Sequence, residues 1–499
     1  MRIAVIGGGP VGIFFTSLCL EKGYSVTLID SGNLDSESSL LTKKNYVFKS
    51  PSALPDGVHK IGGGSTLWRA RISEFQESDF FSSNNSGEAT WPFKKQELSA
   101  HYLKLYKILN AGEVTDKDII SSYFAEERKK LPEEYDLRSY RFCQPNFFTE
   151  LFKKIKSNQK LEILTGHFCL KIYKESESND IYTELLPKNF ASIIRQFNKV
   201  VIACGALQTT ALLQRSSDLL PDSASSVLGN FLMEHREGYI GNLVASKKTE
   251  KDLFKKLSLD NENRAINEFN GIGMAIANSS QLSANLLNIH YEIRNFMPRF
   301  YFRKILNQNT KINKSKIITI LITILITPLS YIEKYSTYIL RKLRKFYDNY
   351  RKIDRYSIYI KAEELAYKNS KVYLENKSEN LLTYEHKVSY QVYSYIIEDI
   401  MKFKNVFLKN FSSKIKFYNG VTDIAKINKF FGPNWHPMGT TRMGLNQQLS
   451  ICDENLEIYG AKNCFILSAS VFPSGSNSNP TFTTLALASR LSESRNFEI

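Results

Sequence analysis

Cysteine is scarce in this chain: six residues in 499 (Cys19, Cys143, Cys169, Cys204, Cys452 and Cys464), with no CxxC pair among them. A chain of this size expected inside the cell needs no disulfide framework, and the six read as buried thiols. Histidine is also sparse, and His59, His101, His167, His290 and His386 show no ligand-like spacing with one another, so no metal is expected. The most apolar run, residues 317–332, is uncharged for 16 residues, short of the ~20 that a membrane-spanning helix needs. The start, MRIAVIGGG, reads as a strand running into a turn and lacks the charged, apolar and cleavage regions of a secretory signal, so the cytoplasmic side is expected. Neither an internal repeat nor a low-complexity linker interrupts the chain, and its domains are expected to be interleaved in sequence.

What is present is ordinary globular material, 42% apolar and 23% charged, which excludes a disordered or fibrous chain. The length exceeds the ~250–300 residues at which single cores stop growing, so at least two domains are expected. Acidic residues fall short of basic ones by 16, and the excess is local. Between Tyr291 and Arg355 there are 15 Lys and Arg against 4 Asp and Glu, a surplus of 11. No recognition fold accompanies that charge, and nucleic acid is not an expected partner.

The first thirty residues carry a strand (Ile3–Ile6), the Gly-rich segment GGGPVG, an apolar helical stretch ending near Gly23, and a second strand (Ser25–Asp30). That order opens a βαβ unit. Gly7, Gly9 and Gly12 have the GxGxxG spacing: the first allows a tight turn, the second close approach of backbone to a pyrophosphate, and the third close packing of helix on strand. Asp30, 18 residues beyond Gly12, stands where an acid accepts hydrogen bonds from an adenosine ribose. The motif implies a dinucleotide and does not separate NAD from FAD. Further on, residues 91–113 have helical spacing, while Leu161–Tyr173 and Lys199–Ala203 read as strands. Near the C-terminus, Asn479-Pro480-Thr481 precedes the apolar-periodic TFTTLALASRL, so a helix starts there with Pro at its first position. Asn479 reads either as a site residue or as the cap of that helix.

Five blocks resemble, in order, the signature regions of the glucose-methanol-choline (GMC) oxidoreductases. They are GGGSTLWRA (62–70), VIACGALQTTALLQRS (201–216), GNFLMEHREG (229–238), WHPMGTTRMG (435–444) and SASVFPSGSNSNPTFTTLALASRLSES (468–494). The STLW and HPMGTTRMG forms are most similar to the branch holding pyranose oxidases and bacterial sugar and polyol dehydrogenases. The resemblance implies an α/β fold: a Rossmann-type FAD-binding domain assembled from discontinuous segments (1–75, 159–235 and 431–499), with an inserted α+β substrate-binding domain (76–158 and 236–430). It implies FAD, bound through Gly7, Gly9, Pro10, Gly12, Asp30, Gly63, Gly64, Ser65, Gly205, Ser470, Pro480 and Thr481. The family's catalytic His falls on His436, its partner on Asn479, and His235 matches a family His that reads as structural. In the pyranose oxidase branch a His can carry the flavin covalently. The matching residue here is Leu67, which has no nucleophilic atom, so the FAD is expected to be non-covalent. The implied activity is oxidation of a hydroxyl on a sugar, polyol or related alcohol, with oxygen, a quinone or a protein as electron acceptor. A non-redox lyase of the same family and a binding protein without turnover are the alternatives.

The family pattern is broken at about 291–355. After the apolar run, Ile332, Tyr335, Ile339, Leu343, Phe346 and Tyr350 share one helical face, and Lys334, Arg341, Arg344 and Lys345 project opposite. A basic amphipathic helix of this kind suits an anionic membrane interface on the inner face of the cell membrane, with a lipid-linked substrate; a core helix with a solvated basic face is the other reading. The membrane reading predicts co-sedimentation with anionic vesicles, weakened by salt, with little on neutral ones. Deleting 317–350 should release the protein with its flavin still bound. Absence of binding at low salt overturns this reading.

Overall fold

Five strands with almost no polar residue facing inward form the first sheet of the computed structural model. That model describes residues 1–32, 46–48, 59–81, 90–175, 179–187, 190–258, 271–276, 288–295, 354–376, 381–385, 390–433 and 435–498. The strand order is Cys464–Ile466, Lys199–Ile202, Arg2–Ile6 (β1), Ser25–Asp30 (β2) and Leu161–Thr165, and all neighbours are parallel. Consecutive apolar residues such as Val200, Val201 and Ile202 are buried because a parallel sheet is covered on both faces. Helix Pro10–Glu21 (α1) links β1 to β2 and is buried from Val11 to Leu20, as expected of a helix apolar all round. The C-terminal helix, Pro480–Glu493, packs on α1 and on helix Gln96–Ile108. Phe482 lies against both Tyr102 and Tyr106, and the Tyr102 hydroxyl meets Thr483 Oγ1 at 2.8 Å.

The expected α/β class with a Rossmann-type sheet is thus found. One strand reading is corrected: Leu161–Tyr173 is not a single strand. Gly166, at φ +66°, turns the chain, so that His167–Lys174 leaves the parallel sheet for a three-stranded antiparallel one with Ile181–Pro187 and Ile193–Phe197. The helix expected within 91–113 spans Gln96–Ile108; Trp91, ahead of it, is buried and donates to Ser474 Oγ. Cys204 is half-buried, whereas the other five cysteines are buried thiols.

The second large sheet is antiparallel, in the order Lys414–Phe417, Arg236–Ala245, Asp354–Ala362, Ile289–Asn295, Gly271–Ile276, Tyr135–Phe142 and Arg71–Ile72, with Gly432–Pro433 beside Arg236. Its side chains alternate with the period of two that a strand imposes. Ile289, Tyr291, Ile293, Tyr356, Ile358 and Ile360 enter an apolar core under helices Lys248–Leu257 and Tyr390–Asn410, where Tyr291 stacks on Phe403. The opposite face carries Glu237, His290, Glu292, Arg294, Tyr359 and Lys361. On a solvated sheet such a face would be wet, yet Glu292 and Lys361 are fully buried. Something polar is being covered there. Residues 296–353, which hold nearly all of the basic insertion including 317–350, lie outside the described residues. They join two neighbouring antiparallel strands, Ile289–Asn295 and Asp354–Ala362. Among the described residues no helix is long and apolar enough to cross a membrane.

The contact between α1 and the turn before it is the tightest constraint in the first layer. A Cβ at Gly12 would stand 1.9 Å from the Gly7 carbonyl oxygen, whereas one at Gly9 meets nothing within 4 Å. Gly12→Ala should therefore destabilise the flavin-free protein by about 3 kcal/mol or more, and Gly9→Ala should leave it unchanged. Equal thermal unfolding midpoints for the two variants would refute this account.

Candidate active site

β1 ends in Gly7, whose φ of +113° would be strained in any other residue and whose added Cβ would strike Ala203 O at 2.5 Å. The chain then turns into α1 through Gly9, an N-cap with no side chain to occupy the first helical N–H groups. Those groups and the helix dipole make an anion site. A cavity of about 360 Å³ starts at this point, lined by Gly7, Gly9, Pro10, Asp30, Gly63, Gly64 and Gly205 and continuing to His436, Pro480 and Thr481. Added Cβ atoms at Gly9, Gly64 and Gly205 would meet no protein atom, so these glycines keep backbone open to whatever fills the cavity. The lining suits a dinucleotide, with an open glycine turn at a helix N-terminus, an acid at Asp30 and an imidazole at His436 on one cavity.

Asp30 is more engaged than its position in the motif suggests. One carboxylate oxygen accepts from Gly8 N at 2.6 Å and the other from Gly32 N at 2.7 Å. Burial raises its pKa, while these two N–H groups pull it back. Asp30 thus ties the glycine turn to the end of β2, with its remaining lone pairs on the cavity side available to a ribose.

At the far end, the His436 backbone N–H donates to Glu234 Oε2 at 3.0 Å and its Nδ1 lies 3.2 Å from His235 Nδ1. Burial is the main cause of a His436 pKa lowered to about 4; Glu237 opposes the shift, and Lys361 and Arg71 reinforce it. His235, fully buried, is held neutral still more firmly by burial and by His436, Lys361 and Arg71. For His436 to accept a proton at Nε2, its own proton must sit on Nδ1 and be donated to His235. Trp435, just before it, is 60% exposed, lines the cavity and has φ +62°, a conformation that costs a non-Gly residue ~1–3 kcal/mol.

Asn479 is the N-cap residue of helix Pro480–Glu493, but its side chain makes no capping hydrogen bond. The reading of Asn479 as a mere cap is corrected: Oδ1 instead accepts from Lys361 Nζ at 2.7 Å. Lys361 also pairs with Glu237 Oε1 at 3.1 Å, and the Tyr359 hydroxyl donates to Glu237 Oε2. Beyond them Arg294 stacks over the Tyr359 ring at 3.6 Å, and Glu292 binds both Arg294 and Arg71. Burial would raise the Glu237 pKa, but the Lys361 ammonium and the Tyr359 hydroxyl hold it below the usual carboxylate range. His235, Glu237 and His436 place potential metal-ligating atoms within 4.8 Å of one another, a grouping that chain spacing did not reveal. Glu237 is already committed to Lys361, whose ammonium supplies the positive charge at that place.

Of the residues expected to hold the cofactor, Gly7, Gly9, Pro10, Asp30, Gly63, Gly64, Gly205, Pro480 and Thr481 line the cavity together. Gly12 instead packs on Gly7. Ser65 and Ser470 are not among the lining residues: Ser65 Oγ donates to Gly62 O, and Ser470 Oγ accepts from Thr441 Oγ1. Leu67 is exposed on the turn after Gly64. Sequence reasoning missed His59, His167 and Cys204 in the cavity wall, and it missed Lys361 and Glu237 altogether. Burial raises the Cys204 pKa to about 11, so it stays a thiol. The sequence signal for Lys361 was the strand alternation itself, which sets a lysine between apolar residues that face the core. His386 lies outside the described residues.

The family model described as GMC oxidoreductase matches residues 394–488. A curated protein, C-glycoside 3-oxidase from Microbacterium trichothecenolyticum, is 40% identical over 60 residues, which is 12% of this chain and 12% of that protein. Among solved structures, pyridoxine 4-oxidase from Mesorbium loti is similar at TM-score 0.57 and 14% identity, and a fungal aryl-alcohol oxidase at 0.55 and 12%. An FAD-dependent oxidoreductase from Chaetomium thermophilum is similar at 0.56 and 13%, and in all three cases 98% of both chains is covered. At these identities the structural likeness speaks for the fold.

Gly9→Val should abolish dinucleotide retention with folding intact, because its side chain enters cavity space and not protein. Wild-type protein precipitated with acid should release all of its flavin to the supernatant, since Leu67 forms no bond to it. A Gly9→Val variant purified with a full complement of flavin would overturn the placement.

Proposed function

We propose that the chain is a GMC-type oxidoreductase with FAD as cofactor, a reading supported by the family-model match at residues 394–488 and the fold, and that it oxidises a hydroxyl-bearing carbon of a sugar or polyol. The observation that carries this reading is the half-buried, neutral His436 on the same cavity as Asp30 and as Pro480 and Thr481 at the N-terminus of a 14-residue helix, whose N-cap Asn479 is bonded to Lys361, a charge that also acts on His436. When bound, FAD supplies a two-electron acceptor there. His436, neutral above about pH 4, accepts the hydroxyl proton at Nε2, while His235 holds the imidazole in the tautomer that leaves this nitrogen basic. As the carbon gives up its hydride and the C–O bond becomes C=O, Asn479 donates a hydrogen bond to the oxygen on which negative charge develops. The helix N-terminus at Pro480, worth roughly +0.5 charge, favours negative charge arriving at that end of the cavity. Gly7, Gly9 and the start of α1 hold the pyrophosphate, and Asp30 the ribose.

A sugar is favoured over other alcohols by the similarity to a C-glycoside 3-oxidase and by the motif forms at 65–68 and 436–444. Peripheral membrane association through 317–350, with a lipid-linked sugar as substrate, belongs to the same proposal. Anaerobic bleaching of the bound flavin by D-glucose, D-galactose, xylitol, glycosides or nucleotide sugars tests the reaction, and failure of every alcohol to bleach it would favour a non-redox role.

His436→Ala should keep FAD and slow flavin reduction by roughly 10² to 10⁴. Asn479→Ala should impair the same step, and the two losses should add less than fully because both groups act on one oxygen. The catalytic base must be deprotonated, so kcat/KM should be flat through neutral pH and fall only as the pH drops towards about 4. Flavin reduction in His436→Ala at the wild-type rate would remove it from the mechanism.

A further inference from the structure

We propose that Lys361 is a positioning residue for this reaction: its ammonium, paired with Glu237, holds the Asn479 side chain with the carbonyl oxygen towards Lys361 and the amide NH₂ towards the substrate oxygen. The inference rests on the reading of His436 and Asn479 given above. It starts from a lysine that is 2% exposed. Burying an ammonium costs several kcal/mol unless it is paired and hydrogen-bonded, and Lys361 has two oxygen partners, Glu237 Oε1 at 3.1 Å and Asn479 Oδ1 at 2.7 Å.

An ammonium has only donors, so it accepts no hydrogen bond from Nδ2 and must face Oδ1. That settles the orientation of an amide whose two ends are otherwise nearly alike. Nδ2 donates to no protein group among the described residues, and both of its N–H bonds point away from Lys361. A side-chain amide fixed in this way offers donors, and donors are what an oxygen gaining negative charge requires. The opposite orientation would present a carbonyl lone pair to that oxygen and repel it.

The lysine is itself fixed by cross-strand neighbours. Glu237 stands opposite it on one side and His290 on the other. Tyr359 holds the second oxygen of Glu237 and is pinned beneath Arg294. This polar face of the antiparallel sheet therefore sets three cations, Arg71, Arg294 and Lys361, against two carboxylates, Glu237 and Glu292. Its residual positive charge supports a negative oxygen and disfavours a second proton on the imidazole. The groups facing His436 are His235, Glu234 at its backbone N–H, Glu237, Lys361 and Arg71.

The test uses the FAD-loaded full-length protein, Lys361→Met, Lys361→Arg and the charge-neutral double variant Glu237→Gln/Lys361→Met, which leaves no carboxylate buried alone should the single variant misfold. Flavin reduction is followed anaerobically with the sugar or polyol that bleaches the wild type, and His436 is titrated by NMR on ¹³Cε1-histidine-labelled protein, assigned through His436→Asn. Removal of Lys361 should slow reduction ~10- to 100-fold with little change in the substrate concentration giving half-maximal rate, and arginine should restore part of the loss. In an Asn479→Ala background, removing Lys361 should add little. The single Lys361→Met change should also move the His436 titration to higher pH, which a merely structural lysine would not do. Wild-type reduction rates in the charge-neutral variant, full additivity with Asn479→Ala, or a His436 titration unmoved by Lys361→Met would each overturn the assignment. If His436→Ala and Asn479→Ala reduce flavin normally, the underlying site reading fails instead.

Discussion

The approach of α1 to the carbonyl of Gly7 is the contact on which the rest of the site depends. With no Cβ at Gly12, the helix sits against the end of β1, which aims its N-terminus at the cavity and presents an apolar flank to the C-terminal helix. The C-terminal helix carries Asn479 at its own N-terminus. A shift of α1 by the width of a methyl group would thus be felt both at the anion-binding turn and at the N-terminus of the C-terminal helix, where Asn479 sits.

A second constraint is electrostatic. The site buries a set of charges that would be costly singly, yet pairs them so that the imidazoles stay neutral. Lys361 and Arg71 disfavour a protonated His436, and Glu237, which alone would raise its pKa, is neutralised by Lys361 and Tyr359. Glu234, whose pKa burial raises to about 8, accepts the backbone N–H of His436 without bringing a full negative charge to it at neutral pH. Basicity at the imidazole is obtained through the surroundings, with a low pKa that keeps the ring ready across the physiological range.

The polar face of the antiparallel sheet explains why these charges can be buried. Strand alternation places Lys361 and Glu292 opposite the apolar residues of the second core, and that face is buried, with Lys361 reaching Asn479 at the start of the C-terminal helix. Hydrogen bonds in such a place are stronger than in water, and an unpaired member would be correspondingly destabilising, which is why the network reaches from Glu237 to Arg71.

The dinucleotide turn was legible in the sequence because its chemistry is local. Three glycines, one acid and two apolar strands within thirty residues state the backbone conformation, the helix start and the open approach to an anion, and the structure places Gly7, Gly9 and Asp30 on one cavity. The helix start at Pro480 was legible for the same reason. The contacts around His436 and Asn479 were not. His235 meets His436 across 201 positions, and Lys361 meets Asn479 across 118. Nothing near Lys361 distinguishes it from a lysine on a solvated strand face, because whether that face is wet or covered depends on what packs over it. The sequence by itself determined the periodicity, the turns and the residue types able to do acid–base work. Only tertiary structure decided which side chains share a buried, low-dielectric space, and hence which imidazole is neutral and which way the Asn479 amide points.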